Sequence, residues 1–321
     1  MRGITARRIL SLDGGGIRGL VTSLWLEGVQ EALARAGKPG LRHRFDLYAG
    51  TSSGALIACG LAVGLAPKDI AAHYREQGRR IFPALPPRWW SRLRRVWSQG
   101  PSAPKYDGHG LDQALREIFG NTTLGQLDPP VMITAYDTLT RRPVIFKSFK
   151  PEHRDLPVWQ VCRASASAPT YFPAVGLTVE GKACSLIDGG VVANNPTALA
   201  IAEAMRRDQD VDRCSDLVVL SAGSGARNRT ISLQQAREWG AMEWAVPIIN
   251  VLFDGNTDSV DYIARHLVGD SYFRLQTDLT IGSDDTDDAS DANLAALESL
   301  ATGYLRREAT RQALDRLAGL L

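Results

Sequence analysis

At the start of the chain, short apolar segments alternate with glycine-rich turns and with segments whose apolar residues recur at helical spacing. Residues 8–12 have the pattern of a buried strand and lead into the glycine cluster 13–19. Apolar residues then recur at helical spacing over residues 20–33. The same order of strand, glycine turn and helix recurs over residues 45–63. Two such units in succession predict a parallel sheet that is covered by helices.

Later apolar segments extend this sheet. Residues 131–137 and 144–149 flank a polar turn and are predicted to form a hairpin, as are residues 175–179 and 183–187. Residues 217–220 are predicted to be a further buried strand. The chain has no internal repeat and no linker rich in Pro, Gly or Ser. We therefore expect one α/β domain over residues 1–321.

Composition excludes several classes of protein. The 37 Lys+Arg nearly balance the 35 Asp+Glu of the 321 residues, so there is no global field to capture a nucleic-acid polymer. No apolar run approaches the roughly 20 residues that cross a bilayer, and no signal peptide is recognisable. A cytoplasmic location is expected. The four scattered cysteines form no CxxC pair, so neither a zinc site nor a disulfide framework is expected.

The first motif with a chemical meaning is the segment 50–54, which reads Gly-Thr-Ser-Ser-Gly and matches G-x-S-x-G. A strand precedes it and a helix follows, as a nucleophile elbow requires. Small residues such as Gly50 and Gly54 are needed because a serine on so sharp a turn leaves no room for bulky neighbours. Ser52, at the centre, is the candidate nucleophile, and Ser53 is assigned to the following helix.

A nucleophilic serine needs a base and an oxyanion hole. The N–H groups of residues 14–16, all glycine, can converge on one oxygen beside a helix N-terminus, and Arg18 can hold that loop or add positive charge. Asp188 follows an apolar strand and precedes Gly189 and Gly190, which leave it open to approach. Partial burial would raise its pKa enough for it to act as the base.

Two other functions remain open at this point. A Ser-Asp-His triad in α/β-hydrolase order would use His266, although that residue lies in a helix-like segment without loop chemistry. Gly14, Gly16 and Gly19 also satisfy the dinucleotide fingerprint G-x-G-x-x-G. Asp13 would place a carboxylate beside the pyrophosphate, which counts against a nucleotide-binding protein.

Together the blocks 13–19, 50–54 and 188–190 resemble the patatin-like phospholipase family, with weaker support from residues 163–172. The resemblance covers about residues 8–207. It implies a three-layer α/β fold with a mostly parallel central sheet flanked by helices. It also implies hydrolysis of phospholipid or other lipid esters through an acyl-enzyme, without metal or cofactor. The residues that it implies are a Ser–Asp dyad, an oxyanion hole and motif glycines: Ser52 and Asp188; Gly14, Gly15, Gly16 and Arg18; Gly19, Gly50, Gly54, Gly189 and Gly190.

Some members of this family are effectors that cyclic nucleotides activate in bacterial anti-phage defence. The short, single-domain layout of the chain resembles that subgroup, notably at residues 136–137 and 142–147, so a cyclic nucleotide is a candidate activator. Tryptophan and arginine are interleaved in residues 88–97, which suits peripheral contact with an anionic inner membrane, a lid, a dimer contact or a surface helix whose tryptophans pack on the body. The acidic segment 284–291 is expected to be a solvated loop that caps the next helix. The oligomeric state is left open.

Overall fold

A computed structural model of the chain describes residues 7–38, 40–84, 103–207, 211, 213–226, 230–244 and 247–321. The tryptophan and arginine segment 88–97 lies outside the described residues. The described strands are β1 (Arg8–Leu12), β2 (Leu47–Gly50), β3 (Val131–Asp137), β4 (Arg142–Lys147), β5 (Val175–Val179), β6 (Lys182–Asp188), β7 (Val218–Ala222) and β8 (Tyr272–Leu275). The described helices are α1 (Gly19–Arg35), α2 (Ser53–Val63), α3 (Pro67–Ile81), α4 (His109–Phe119), α5 (Val158–Ser165), α6 (Gly190–Ala193), α7 (Thr197–Arg207), α8 (Leu233–Glu238), α9 (Ala241–Trp244), α10 (Pro247–Val268), α11 (Asp291–Arg306) and α12 (Glu308–Leu320).

One sheet joins the eight described strands, in the order β5-β6-β3-β2-β1-β7-β8, with β4 paired to β3. Strands β3, β2, β1, β7 and β8 are parallel to one another, whereas β4, β5 and β6 pair antiparallel. The two predicted hairpins, β3–β4 and β5–β6, are therefore confirmed. The register that pairs Leu12 with Gly50 brings the ends of β1 and β2 side by side.

The sheet is covered on both faces, as an α/β fold of three layers requires. Leu10 belongs to the larger apolar cluster on one face, and Ile9, the preceding residue of the same strand, belongs to the smaller cluster on the other. Helices α1 and α2 cover the first face, while α7 and α10 contribute residues to the second. The predicted three-layer class is confirmed.

The C-terminal third supplies parts of this fold that the sequence motifs did not predict. Strand β7 pairs with β1, and β8 extends the sheet beyond β7. Helices α11 and α12 both pack on α1. Tyr304 of α11 stacks on the fully buried Trp25 with ring centroids 4.8 Å apart. None of the described helices is both long enough and apolar enough to cross a membrane.

Candidate active site

Ser52 occupies a strained turn between β2 and α2. Its φ is +54°, in the left-handed region that side chains other than glycine rarely adopt. A Cβ at Gly50 would lie 2.4 Å from the carbonyl oxygen of Gly54, and one at Gly54 would lie 2.2 Å from that of Leu12. Both contacts involve backbone, which cannot move aside. The two glycines are therefore required by the turn that holds Ser52 at the N-terminus of α2.

Ser165, at the end of α5, anchors this turn. Its Oγ accepts a 2.8 Å hydrogen bond from the N–H of Ser52. Thr51 donates its hydroxyl to the carbonyl oxygen of Ala193 at 2.6 Å. Both bonds are buried, so they fix the strained backbone without competition from water. Sequence reasoning missed Ser165, although it lies in the small-residue segment 163–172 that was already noted.

Asp188 lies at the end of β6 and is only 1% exposed. Its N–H donates to the carbonyl oxygen of Ser167 at 2.9 Å, and its Oδ1 accepts a 2.6 Å bond from the N–H of Gly190. Its Oδ2 is buried and has no hydrogen-bond partner among the described residues. Burial raises the pKa of Asp188 to about 7, against the opposing effects of the Gly190 N–H and of the nearby Ser52 hydroxyl.

Among the described residues, two N–H groups of the glycine loop after β1 have no acceptor. The N–H of Gly14 donates to the carbonyl oxygen of Asn194 at 3.0 Å. The N–H groups of Gly15 and Gly16 meet no acceptor in the part of the chain that the structure describes. Arg18 is buried and braces the loop, since its Nε donates to the Gly15 carbonyl at 3.4 Å. Two donors at a helix start suit a developing negative charge.

A buried ion pair holds the loop to the C-terminal third. Nη1 of Arg274, in β8, donates to Oδ1 of Asp13 at 3.0 Å, and Nη2 donates to Oδ2 at 2.5 Å. The two side chains are 3% and 2% exposed. Burial alone would lower the pKa of Arg274, but the carboxylate of Asp13 outweighs it and raises that pKa. The bidentate pair thus fixes the strand end from which the glycine loop departs.

Ser52, Asp188 and the glycine loop line one cleft. Helix α10 contributes Phe253, which lies 2.7 Å from where a Cβ at Gly190 would stand. Asn194 also lines the cleft, with its Nδ2 donating to Thr257 and its Oδ1 buried without a partner among the described residues. Most of the wall is apolar, and it includes Leu56, Ile81, Phe82, Leu111 and Phe172.

The family model described as patatin-like phospholipase matches residues 10–201 of the chain, which is more than half of its length. The chain belongs to the patatin-like phospholipase family. It is accordingly a lipid acyl hydrolase, an enzyme that hydrolyses carboxylic esters. The matched range begins in β1 and ends in α7, so it includes the glycine loop, the Ser52 turn and Asp188.

Relatives cover nearly the whole of this patatin-like chain. Patatin-like protein 4 of Arabidopsis thaliana is 30% identical over 96% of this chain and 85% of its own length. Patatin-15 of Solanum tuberosum is 29% identical over 98% of this chain and 89% of its own. Among solved structures, VipD from Legionella pneumophila aligns with a TM-score of 0.39 and 15% identity, over 94% of this chain and 67% of its own.

None of the histidines lines the cleft of this patatin-like protein, and all five lie within the described residues. His266 is exposed on α10, where its Nδ1 lies 2.7 Å from the carbonyl oxygen of Tyr262. The helix predicted there is confirmed. At the start of α7, Oδ1 of Asn195 accepts a 3.0 Å bond from the N–H of Thr197.

The glycine loop of this patatin-like protein is packed closely by neighbouring segments. Other side chains and backbone fill the space beside its glycines. A Cβ at Gly15 would stand 2.0 Å from the hydroxyl of Ser224, and one at Gly16 would stand 2.2 Å from the carbonyl oxygen of Thr286. In the dinucleotide fold, glycine leaves that space to the ligand. The packing therefore disfavours the nucleotide-binding alternative.

Replacing Arg274 with methionine is expected to lower the free energy of unfolding by about 3–5 kcal/mol, because the Asp13 carboxylate would remain buried without its partner. Urea unfolding followed by circular dichroism measures this change. Arg306→Met, at an exposed position of α11, is the matched control and is expected to change stability by under about 0.5 kcal/mol. An equal, small effect of both substitutions would contradict the structural role of the pair.

Proposed function

We propose that Ser52 attacks the ester carbonyl of a lipid and that Asp188 is its general base, without a histidine. The observation that carries this proposal is the pairing of a strained serine with a buried carboxyl whose pKa is raised to about 7. A base with that pKa is half ionised near neutral pH and takes a proton effectively there. Its partnerless Oδ2 is the atom available to receive the proton.

Acylation begins when the Ser52 hydroxyl passes its proton to Oδ2 of Asp188. Oγ forms a bond to the carbonyl carbon, and the carbonyl oxygen takes the negative charge of the tetrahedral intermediate. The carbon–oxygen bond to the alcohol then breaks. The departing alcohol recovers the proton from Asp188, and the acyl group stays on Ser52.

Deacylation repeats the sequence with water in place of the alcohol. Water gives a proton to Asp188 as its oxygen attacks the acyl carbon, and a second tetrahedral intermediate forms. The bond from the acyl carbon to Oγ then breaks. Ser52 regains the proton, and the fatty acid leaves. The dyad ends each cycle in its starting protonation state.

The oxyanion hole is assigned to the N–H groups of Gly15 and Gly16, because the N–H of Gly14 already donates to Asn194. Gly14 contributes space instead, since a Cβ there would lie 3.3 Å from that of Ser52. Arg18 is a positioning residue that holds the Gly15 carbonyl. Preorganised backbone donors of this kind stabilise the transition state by about 3–4 kcal/mol each.

The substrate is proposed to be a phospholipid or related lipid ester that is presented at a membrane surface. The apolar wall of the cleft suits an acyl chain. A second apolar pocket shares Leu56, Tyr74 and Ile81 with the cleft. The chemistry of the dyad calls for no metal or cofactor.

The test is the release of free fatty acid from phosphatidylcholine vesicles by the purified protein, followed by mass spectrometry of the products. We expect fatty acid and lysolipid in equal amounts at first, since each turnover breaks one ester bond. A fluorophosphonate probe is expected to label the wild type. Absence of both hydrolysis and labelling would contradict the proposal.

Three finer roles stay predictions. Activation by a cyclic nucleotide rests on the resemblance of residues 136–147 to an effector subgroup. A role in antiviral defence depends on the same resemblance. Peripheral attachment to the inner membrane through residues 88–97 also stays a prediction, because that segment lies outside the described residues.

A further inference from the structure

The outer side of α10 carries an apolar stripe in two parts, one near the start of the helix and one near its end, with Gly255 and Ser259 between them. Large apolar side chains at helical spacing are 40–65% exposed along it: Ile248, Val251, Leu252, Tyr262 and Ile263. At about 100° per residue these positions fall within an arc of roughly 120°. Leu267, 47% exposed, extends the edge of the stripe. Exposed apolar patches of this kind mark contact surfaces.

Two polar side chains within the stripe, Ser259 and His266, make contacts inside the helix. Ser259 donates its hydroxyl to the carbonyl oxygen of Gly255 at 2.7 Å. His266 stacks on Tyr262 with ring centroids 4.2 Å apart, and its Nδ1 lies against the carbonyl oxygen of Tyr262. The charged residues of the helix lie to one side of the stripe, where Arg265 pairs with Asp261 at 2.9 Å. The arc of the stripe therefore contains no Asp, Glu, Lys or Arg side chain.

The same helix forms a wall of the active-site cleft. Phe253 and Asp254 line the cleft, and Nδ2 of Asn256 donates to the carbonyl oxygen of Val192 at 3.1 Å beside Asp188. Phe253, which directly follows Leu252 of the stripe, thus lines the cleft, while the stripe lies on the outer side of the helix. A surface that accepts the stripe would therefore contact the helix that forms a wall of the cleft.

We infer that the α10 stripe docks on a lipid bilayer and brings the cleft to its substrate. This inference rests on the proposed function, which requires a lipid to leave the membrane and enter the cleft. An apolar face without interspersed charge suits insertion among lipid acyl chains and headgroups more than it suits pairing with a protein surface. The helix has 22 residues, so it is about 33 Å long and gives a broad contact.

The test measures binding to phosphatidylcholine vesicles by sedimentation, with Ser52→Ala in every protein to prevent hydrolysis. The test variant combines Leu252→Gln with Ile263→Gln, and both side chains are exposed, so the fold should persist. The control combines Leu139→Gln with Leu320→Gln, leucines that are 65% and 46% exposed elsewhere. We expect the test variant to bind at least about tenfold more weakly and the control to bind like the parent.

Two further measurements, vesicle binding at low and high salt and hydrolysis of a soluble ester, support the interpretation of the binding data. The loss should be the same at low and high salt, because the stripe carries no charge. With Ser52 restored, the test variant should hydrolyse a soluble short-chain ester within about twofold of wild type, since neither residue lines the cleft. If the proposed function were wrong, the wild type would not hydrolyse the soluble ester, and this result does not depend on whether the protein binds vesicles.

Several outcomes would overturn the inference. One is equal vesicle binding by the parent and the test variant, and another is the absence of binding by both. A third is a test variant that still binds vesicles but changes from dimer to monomer in light scattering, which would make the stripe an interface between copies of this chain.

Discussion

Ester hydrolysis by a Ser52→Ala variant is expected to fall at least about 10⁴-fold below wild type, because the variant lacks the only oxygen placed to carry the acyl group in the proposed mechanism. Initial rates of fatty acid release from phosphatidylcholine vesicles measure the effect. The fold should be unaffected, since the Ser52 N–H that bonds to Ser165 belongs to the backbone and is kept.

Ser53→Ala is the matched control for this substitution. Ser53 is the first residue of α2, and its hydroxyl is buried without a hydrogen-bond partner among the described residues. Its removal is expected to change the rate by less than about tenfold. If Ser53→Ala were inactive and Ser52→Ala were active, the nucleophile would be Ser53 and the assignment of Ser52 would be wrong.

Replacing Asp188 with asparagine is expected to lower kcat by about 10³–10⁴-fold, because asparagine cannot accept the serine proton. In the wild type the ionised carboxylate is the active form. The rate should therefore rise with pH through about 7 and level off above it. Initial rates of ester hydrolysis, measured at a series of pH values around 7 in buffers of constant ionic strength, give this pH dependence. His266→Ala is expected to behave like wild type.

The Asp188→Asn substitution is also expected to stabilise the fold above pH 7. The pKa of Asp188 is about 7 in the folded state against 3.8 for the free side chain, so the folded protein binds the proton more tightly. Stability therefore falls as pH rises from about 4 to 7, by at most about 1.4 kcal/mol per pH unit. Asp188→Asn removes this penalty. An active Asp188→Asn variant beside an inactive His266→Ala variant would contradict the assignment of the base.

Much of the fold and of the candidate site could be predicted because glycine spacing marks sharp turns locally. The patterns around residues 13–19 and 50–54 each predict a strand end and a helix start, and parallel neighbours bring such ends together. The structure places Ser52, Asp188 and the glycine loop around one cleft. Their chemical roles remain the proposal made above.

Contacts between distant segments could not be predicted from local pattern. Asp13 and Arg274 are 261 residues apart, and nothing near either residue indicates its partner. The acidic segment 284–291 was expected to be solvated, but it packs on the glycine loop. Its Thr286 carbonyl accepts a 2.8 Å bond from the N–H of Ile17, and its Asp287 is buried beside Tyr106. The expected cap on the next helix is confirmed, since Ser290 caps α11.

The central claim is that the acyl group passes through Ser52, and trapping the intermediate tests it most directly. The wild-type protein would be mixed with a chromogenic long-chain ester, quenched in acid within the first turnover and digested for peptide mass spectrometry. The mechanism predicts one acyl group per chain, on the peptide that contains Ser52, and none in the Ser52→Ala variant. An acyl group on another residue, or rapid hydrolysis by Ser52→Ala without an adduct, would contradict it.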